Sequence, residues 1–175
     1  MKNTRKIDRR FSSNQRGAAL VISLLMLLVM TVIGVAAMQT NLLEEKMAGN
    51  FRDMNLAFQS AEAALRDAET DITPPSRFSG LTGFTSNCTD GMCDATGGLS
   101  EVWETYPNSG VALGTYTATP ALPRVACQPR YWIEGYKSQP VGSPSWKAQY
   151  RITAVACGGN PNTRVVLQSV FTLGG

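Results

Sequence analysis

The chain has 175 residues, with 16 Lys and Arg against 13 Asp and Glu, four Cys and no His. Without His, the commonest general base and most nucleophilic triads are excluded. Residues 1–17 hold Lys2, Arg5, Lys6, Arg9, Arg10 and Arg16 against Asp8, a net +5; the overall +3 therefore leaves −2 on the rest, which marks no nucleic-acid surface.

After Arg16 no charged residue occurs until Glu44. A bilayer core of about 30 Å needs roughly 20 apolar residues in a helix. Ala18 to Met38 meets this, and its Ser23 and Thr31 hydroxyls are expected to bond back to the preceding helical turn. A secretory signal is cut after an apolar region of about 7 to 15 residues. Here the small Gly17 stands before the apolar run, and the run is longer. Two readings stay open on these residues: a plain signal anchor, or a leader (1–17) cut on the cytoplasmic side. In both, the excess of Lys and Arg keeps the N-terminus cytoplasmic and sends the rest across the membrane.

From Met47 the apolar residues fall at Met47, Phe51, Met54, Phe58, Ala61, Leu65, Ala68 and Ile72, in alternating steps of four and three. This is a heptad stripe. Glu44, Glu45, Arg52, Asp53, Glu62, Arg66, Asp67 and Glu69 lie off it, and Thr73-Pro74-Pro75 ends it. The pattern predicts one helix over residues 18–72, transmembrane over 18–38. Met54, Phe58, Ala61, Leu65, Ala68 and Ile72 are expected to pack on the following domain; a coiled-coil dimer is the rival.

Residues 73–175 are enough for one small domain outside the cytoplasm. Residues 76 to 115 are rich in Gly, Ser, Thr and Asn, with Trp103 and Tyr106 as anchors and one short strand expected near Thr115 to Thr119. Arg130–Lys137, Lys147–Cys157 and Thr163–Thr172 read as strands, joined by turns at Pro140–Pro144 and Gly158–Pro161. A three- or four-stranded antiparallel meander under the helix, an α+β fold, is the expectation.

The four cysteines lie beyond the apolar span and fit an oxidising compartment and two disulfides. Three pairings are possible. A hairpin turning near Gly142 sets Cys127 and Cys157 opposite each other, which leaves Cys88 with Cys93. Zinc thiolate binding is disfavoured by the spacing and by the missing His. Asp90 and Asp94 offer oxygen donors of the kind calcium takes, but a solvated turn closed by Cys88–Cys93 is the favoured reading. Glu101 and Glu104 beside Trp103 read as surface carboxylates rather than a glycosidase pair. No phosphate loop or dinucleotide fingerprint is present, and no cofactor is expected.

A basic leader, Gly at the junction and a long apolar helix running into a heptad resemble type IV pilin precursors. Within them, GAALVISLLMLLVMTVIGVAAMQTNLLEEKMAGNFRDMNLAFQSAEAALRDAE is similar to the PilX family of minor pilins, most specifically through MAGN followed by AFQSAEAALRDAE. The resemblance implies a pilin-like fold and cleavage between Gly17 and Ala18 by the prepilin peptidase. It also implies N-methylation of Ala18 and insertion, as a non-enzymatic subunit, into a type IV pilus or its tip or initiating complex. The implied partners are other minor pilins, the major pilin, the inner-membrane assembly platform and, further, a tip adhesin; adhesion and twitching motility are the implied uses. The implied location is the inner membrane before assembly and the extracellular pilus after it.

Most pilins begin with an aromatic residue where Ala18 stands, and carry Glu where Ile22 stands. A carboxylate at that depth costs around 3 kcal/mol unless it meets a partner. Ile22 removes both cost and contact, which fits the PilX group and not a repeating major subunit. The tip subunit of related secretion pseudopili shares this lack, and a minor pseudopilin of a type II secretion system is the runner-up reading; a membrane-anchored enzyme or binding protein with an uncleaved leader is the third.

Overall fold

The structure, a computed structural model, describes residues 16–77, 79–98, 101–139, 141–142 and 145–172. Most of the expected leader (1–15) and parts of the expected turn at 140–144 lie outside the described residues. The chain divides into two compact units, Met1–Ala48 and Gly49–Gly175.

One helix, α1 (Arg16–Ile72), enters both units. It contains no Pro and is rich in Ala, Leu and Met, all strong helix formers. Ser23 Oγ donates to the Leu20 carbonyl at 2.9 Å and Thr31 Oγ1 to that of Leu28 at 2.8 Å, so neither hydroxyl is left unpaired in the apolar segment. At the other end the Thr73 N–H and hydroxyl both donate to the Glu69 carbonyl, at 3.0 and 2.7 Å, and Pro74-Pro75 stops the helix.

In the second unit the sheet is built around a meander, β3 (Arg130–Ser138), β4 (Lys147–Cys157) and β5 (Arg164–Phe171), all antiparallel. Two short strands share the other edge of β3: β1 (Met92–Asp94), parallel through Met92↔Ile133, and β2 (Val111–Ala112), antiparallel through Val111↔Tyr131. The sheet is therefore mixed rather than wholly antiparallel. The strand expected near Thr115–Thr119 is instead a turn, closed by Thr115 N–H to the Ala112 carbonyl and Ala118 N–H to that of Gly114. Its Thr-rich alternation serves hydrogen bonding to the helix, as described below.

The register puts Tyr131 and Ile133 of β3 beside Ala154 and Ile152 of β4, on the face turned to α1. The main core forms there from Ala64, Ala68, Ile72, Val111, Tyr131, Ile133, Tyr150, Ile152 and Ala154. Leu65, Leu81, Phe84 and Phe171 pack at its margin, with Phe84 stacked on Tyr150 at 5.9 Å. The opposite face carries a smaller cluster, where Cys88, Cys93 and Val102 of a short helix, α2 (Val102–Thr105), cover Trp132.

The buried line of α1 keeps Ala61, Leu65, Ala68 and Ile72 of the expected stripe but departs from it at Met54 and Phe58. Ala57, Ala61, Ala64, Ala68 and Ile72 are fully buried, and Leu65 is half-buried. Met54 and Phe58, expected to pack on the sheet, are 51% and 43% exposed. The cause is size. The sheet presents two tyrosines and two isoleucines, and along Ala57–Ala68 alanines on the helix leave room for them at interior packing density, with Ile72 filling the end of the core. The large side chains lie one helical step round.

Candidate functional site

Two places carry the expected functional residues: the start of α1, and the joint between its second half and the sheet. At the start, Gly17 and Ala18 lie in the first turns of the helix. A Cβ added at Gly17 would meet no atom within 4 Å. The fold itself thus has no need of glycine there. Leu20 to Met38 presents large apolar side chains all round, from Val29 at 42% exposed to Met30 and Met38 at 70%. Ile22 is among them, at 60%. The helix is long and apolar enough to cross a membrane.

The joint is held by carboxylates as well as by alanines. Asp67 is buried, and its oxygens accept from the Gly114 N–H at 2.8 Å, from Thr119 Oγ1 at 2.6 Å and from Thr117 Oγ1. Gly114 stands at φ +77° with the Thr119 carbonyl directly beside it, a turn that a side chain would break. One turn on, Asp71 accepts from Arg77 Nε at 2.9 Å and from the Tyr131 hydroxyl at 3.0 Å. The Arg77 guanidinium lies 4.0 Å over the ring of Tyr116. Burial, with Asp71 facing it, holds the Tyr131 hydroxyl well above the usual phenol range.

Near the first turn of the joint, Asp53 Oδ1 accepts from the Gly159 N–H at 2.6 Å and the Asn160 N–H at 3.3 Å. The Thr163 side chain, chiefly, holds its carboxyl below the ordinary range; burial opposes this, and the two N–H groups add to the lowering. A Cβ at Gly158 would lie 2.6 Å from Asp53, so the end of β4 touches the helix backbone here. In the sequence Asp53 and Asp67 stand out only as charged residues off the apolar stripe. The one sequence signal for their role is a set of threonines at 115, 117 and 119 with no strand to serve.

The structure joins Cys88 to Cys93, with Cα atoms 4.1 Å apart, and Cys127 to Cys157, at 5.5 Å. Asp94 Oδ1 accepts from the Thr96 hydroxyl and N–H, at 2.7 and 2.9 Å, which lowers its pKa. Asp90 offers its carbonyl to Arg77 Nη2 at 3.1 Å. Among the described residues no three His, Cys, Asp or Glu gather where a cation could sit. Glu101 accepts from Trp103 Nε1 at 3.1 Å, and Glu104 is exposed in α2. On the outer face of the sheet, Glu134 is buried and paired through both oxygens with Arg151, at 2.6 and 2.7 Å.

Two family models match the chain in succession. The one described as PilX N-terminal covers residues 16–66, and the one described as Type IV pilus assembly protein PilX C-term covers 67–173. No curated protein and no solved structure matches it.

Proposed function

The chain belongs to the PilX family of type IV pilus assembly proteins, and on that premise we propose that it is a minor pilin. It enters the inner membrane with its N-terminus cytoplasmic, loses residues 1–17 to the prepilin peptidase, and is methylated at Ala18. Its apolar half-helix then moves from lipid into the packed helices of a pilus or of the tip complex that starts one. Its second unit is displayed outside the cytoplasm, where it meets other minor pilins, the major pilin or an adhesin.

One observation carries the reading: the helix surface from Leu20 to Met38 is apolar on every side and uncovered. Water does not tolerate such a surface, whereas lipid does, and helices in lipid associate through close packing rather than through exclusion of water. Gly17 supports the cleavage site, because the fold gives no other reason for glycine there. Ile22 supports a minor over a major role.

The test is the intact mass of the wild-type chain from membranes and from sheared pili. The expected species begins at methylated Ala18 and is present in both. A chain that keeps residues 1–17 in every fraction overturns the pilin reading. Loss of protein secretion with normal pili, on deleting the chain, would assign it to a pseudopilus instead.

A further inference from the structure

Away from α1, the outer face of the sheet holds a cleft of about 270 Å³ between α2 and the ends of β3, β4 and β5. The register sets Arg130 and Arg164 on either side of β4, since Arg130 pairs with Val155 and Arg164 with Cys157. Both side chains are exposed. Trp103, half-buried on α2, forms one wall, and the floor is Val155, buried Trp132 and the Cys127–Cys157 bridge.

The charges here are not balanced. Among the described residues, ion pairs tie Arg77 to Asp71 and Arg151 to Glu134. Among the described residues neither Arg130 nor Arg164 has a carboxylate within ion-pair distance; no carboxylate lines the cleft itself, and Glu101, which accepts from Nε1 of the Trp103 wall at 3.1 Å, is not among its lining residues. One Arg130 N–H donates to the Gly110 carbonyl at 2.9 Å, which steadies the guanidinium and leaves its other donors available. Two guanidinium groups about one apolar, indole-walled hollow make a place for a planar anion attached to an apolar ring.

We infer that this cleft binds a carboxylated sugar, with its carboxylate between Arg130 and Arg164 and its ring against Trp103. The C–H-bearing face of a pyranose is weakly positive and suits the negative face of an indole. The exposed amide of Asn108 at the rim matches ring hydroxyls. The volume falls just below the range of about 300 Å³ upward for drug-sized ligands, so one sugar unit is the fit. An acidic peptide satisfies the arginines but gives the indole wall no ring to meet. The inference concerns the domain wherever it is displayed and does not rest on the pilin reading.

The carboxylated ring has two natural sources, a uronate of a polysaccharide or a sialic acid of a glycan. The test is calorimetric titration of the full-length chain in detergent with a glucuronate disaccharide, sialyllactose, lactose and a Glu-rich peptide. Binding of either acidic sugar, with lactose about tenfold weaker or worse, is expected, and which one binds identifies the source. Arg164→Gln, whose side chain is exposed, should weaken binding about tenfold without lowering the melting temperature, and Trp103→Ala should weaken it too. Equal binding of lactose, unchanged binding in Arg164→Gln, preference for the peptide, or no binding to any of the four overturns the inference.

Discussion

Between Leu20 and Met38, α1 carries leucines, valines, isoleucines and methionines that are 42–70% exposed. Between Ala57 and Ile72 the same helix buries four alanines completely, together with Asp67 and Asp71. Large side chains without cover and small ones under full cover mark two different solvents. The first stretch is built for surroundings that bring their own apolar atoms. The second is built for a sheet that already supplies the bulk through Tyr131, Tyr150, Ile133 and Ile152. What the alanines contribute is closeness, which brings the carboxylates at 53, 67 and 71 within hydrogen-bond reach of the loops.

The largest expected effect separates the two stretches outright. Leu24→Asp or Leu28→Asp places a charge in the apolar segment at a cost of about 2.5 to 3.5 kcal/mol for insertion. Membrane retention and recovery in pili should collapse, while tryptophan-monitored melting of the second unit stays where it was. Lowered melting with normal recovery would dissolve the distinction.

Next comes the covalent tie of the second unit alone. The Cys127–Cys157 bridge spans 30 residues of chain and the Cys88–Cys93 bridge only 5. In the chain-entropy account the longer loop is worth roughly 3 to 4 kcal/mol. Urea midpoints should fall further for Cys157→Ser than for Cys93→Ser; the reverse order would mean that the short bridge organises the domain.

Asp67→Ala is expected to cost about 1 to 3 kcal/mol, because the Gly114 N–H and the two threonine hydroxyls lose their acceptor. Glu44→Ala, on an exposed turn of the same helix, should change stability by no more than about 0.5 kcal/mol. Equal urea midpoints for the two variants would remove the carboxylates from the account of the joint.

The smallest effect is a pH dependence. Asp53 is held below the usual carboxylate range by Thr163, Gly159 and Asn160, so folding favours its ionised form. Its contribution is complete above the unfolded value of about 4 and is lost as pH falls through the folded value. Melting temperatures of wild type and Asp53→Asn should differ at pH 6 and converge as the solution is acidified. A constant gap would show that charge plays no part.

Much of this was legible in the chain. The unbroken run from Ala18, the steps of four and three, the stop at Pro74-Pro75 and the alternation in Lys147–Cys157 all report period and length, which are local properties. Three-residue β1 and two-residue β2 were not, since such strands exist only through their pairing with β3. The role of the carboxylates is not legible, because charge off an apolar stripe carries no sign of a waiting partner, and the partners of Asp67 lie about fifty residues away. Met54 and Phe58 were misplaced because hydrophobicity ranks side chains by transfer energy, whereas a crowded sheet selects by volume.

The central claim is that closeness through small buried residues, more than the large stripe side chains at Met54 and Phe58, holds the helix to the sheet. Melting of Ala64→Leu beside Phe58→Ala, each in the full-length chain in detergent, tests it most directly. Three added carbons at a fully buried alanine should cost about 1 to 3 kcal/mol. Removing a ring that is 43% exposed should cost a little over half of the roughly 1.5 to 3 kcal/mol that full burial is worth. The account predicts that Ala64→Leu melts lower; a Phe58→Ala variant that melts lower than Ala64→Leu would contradict it.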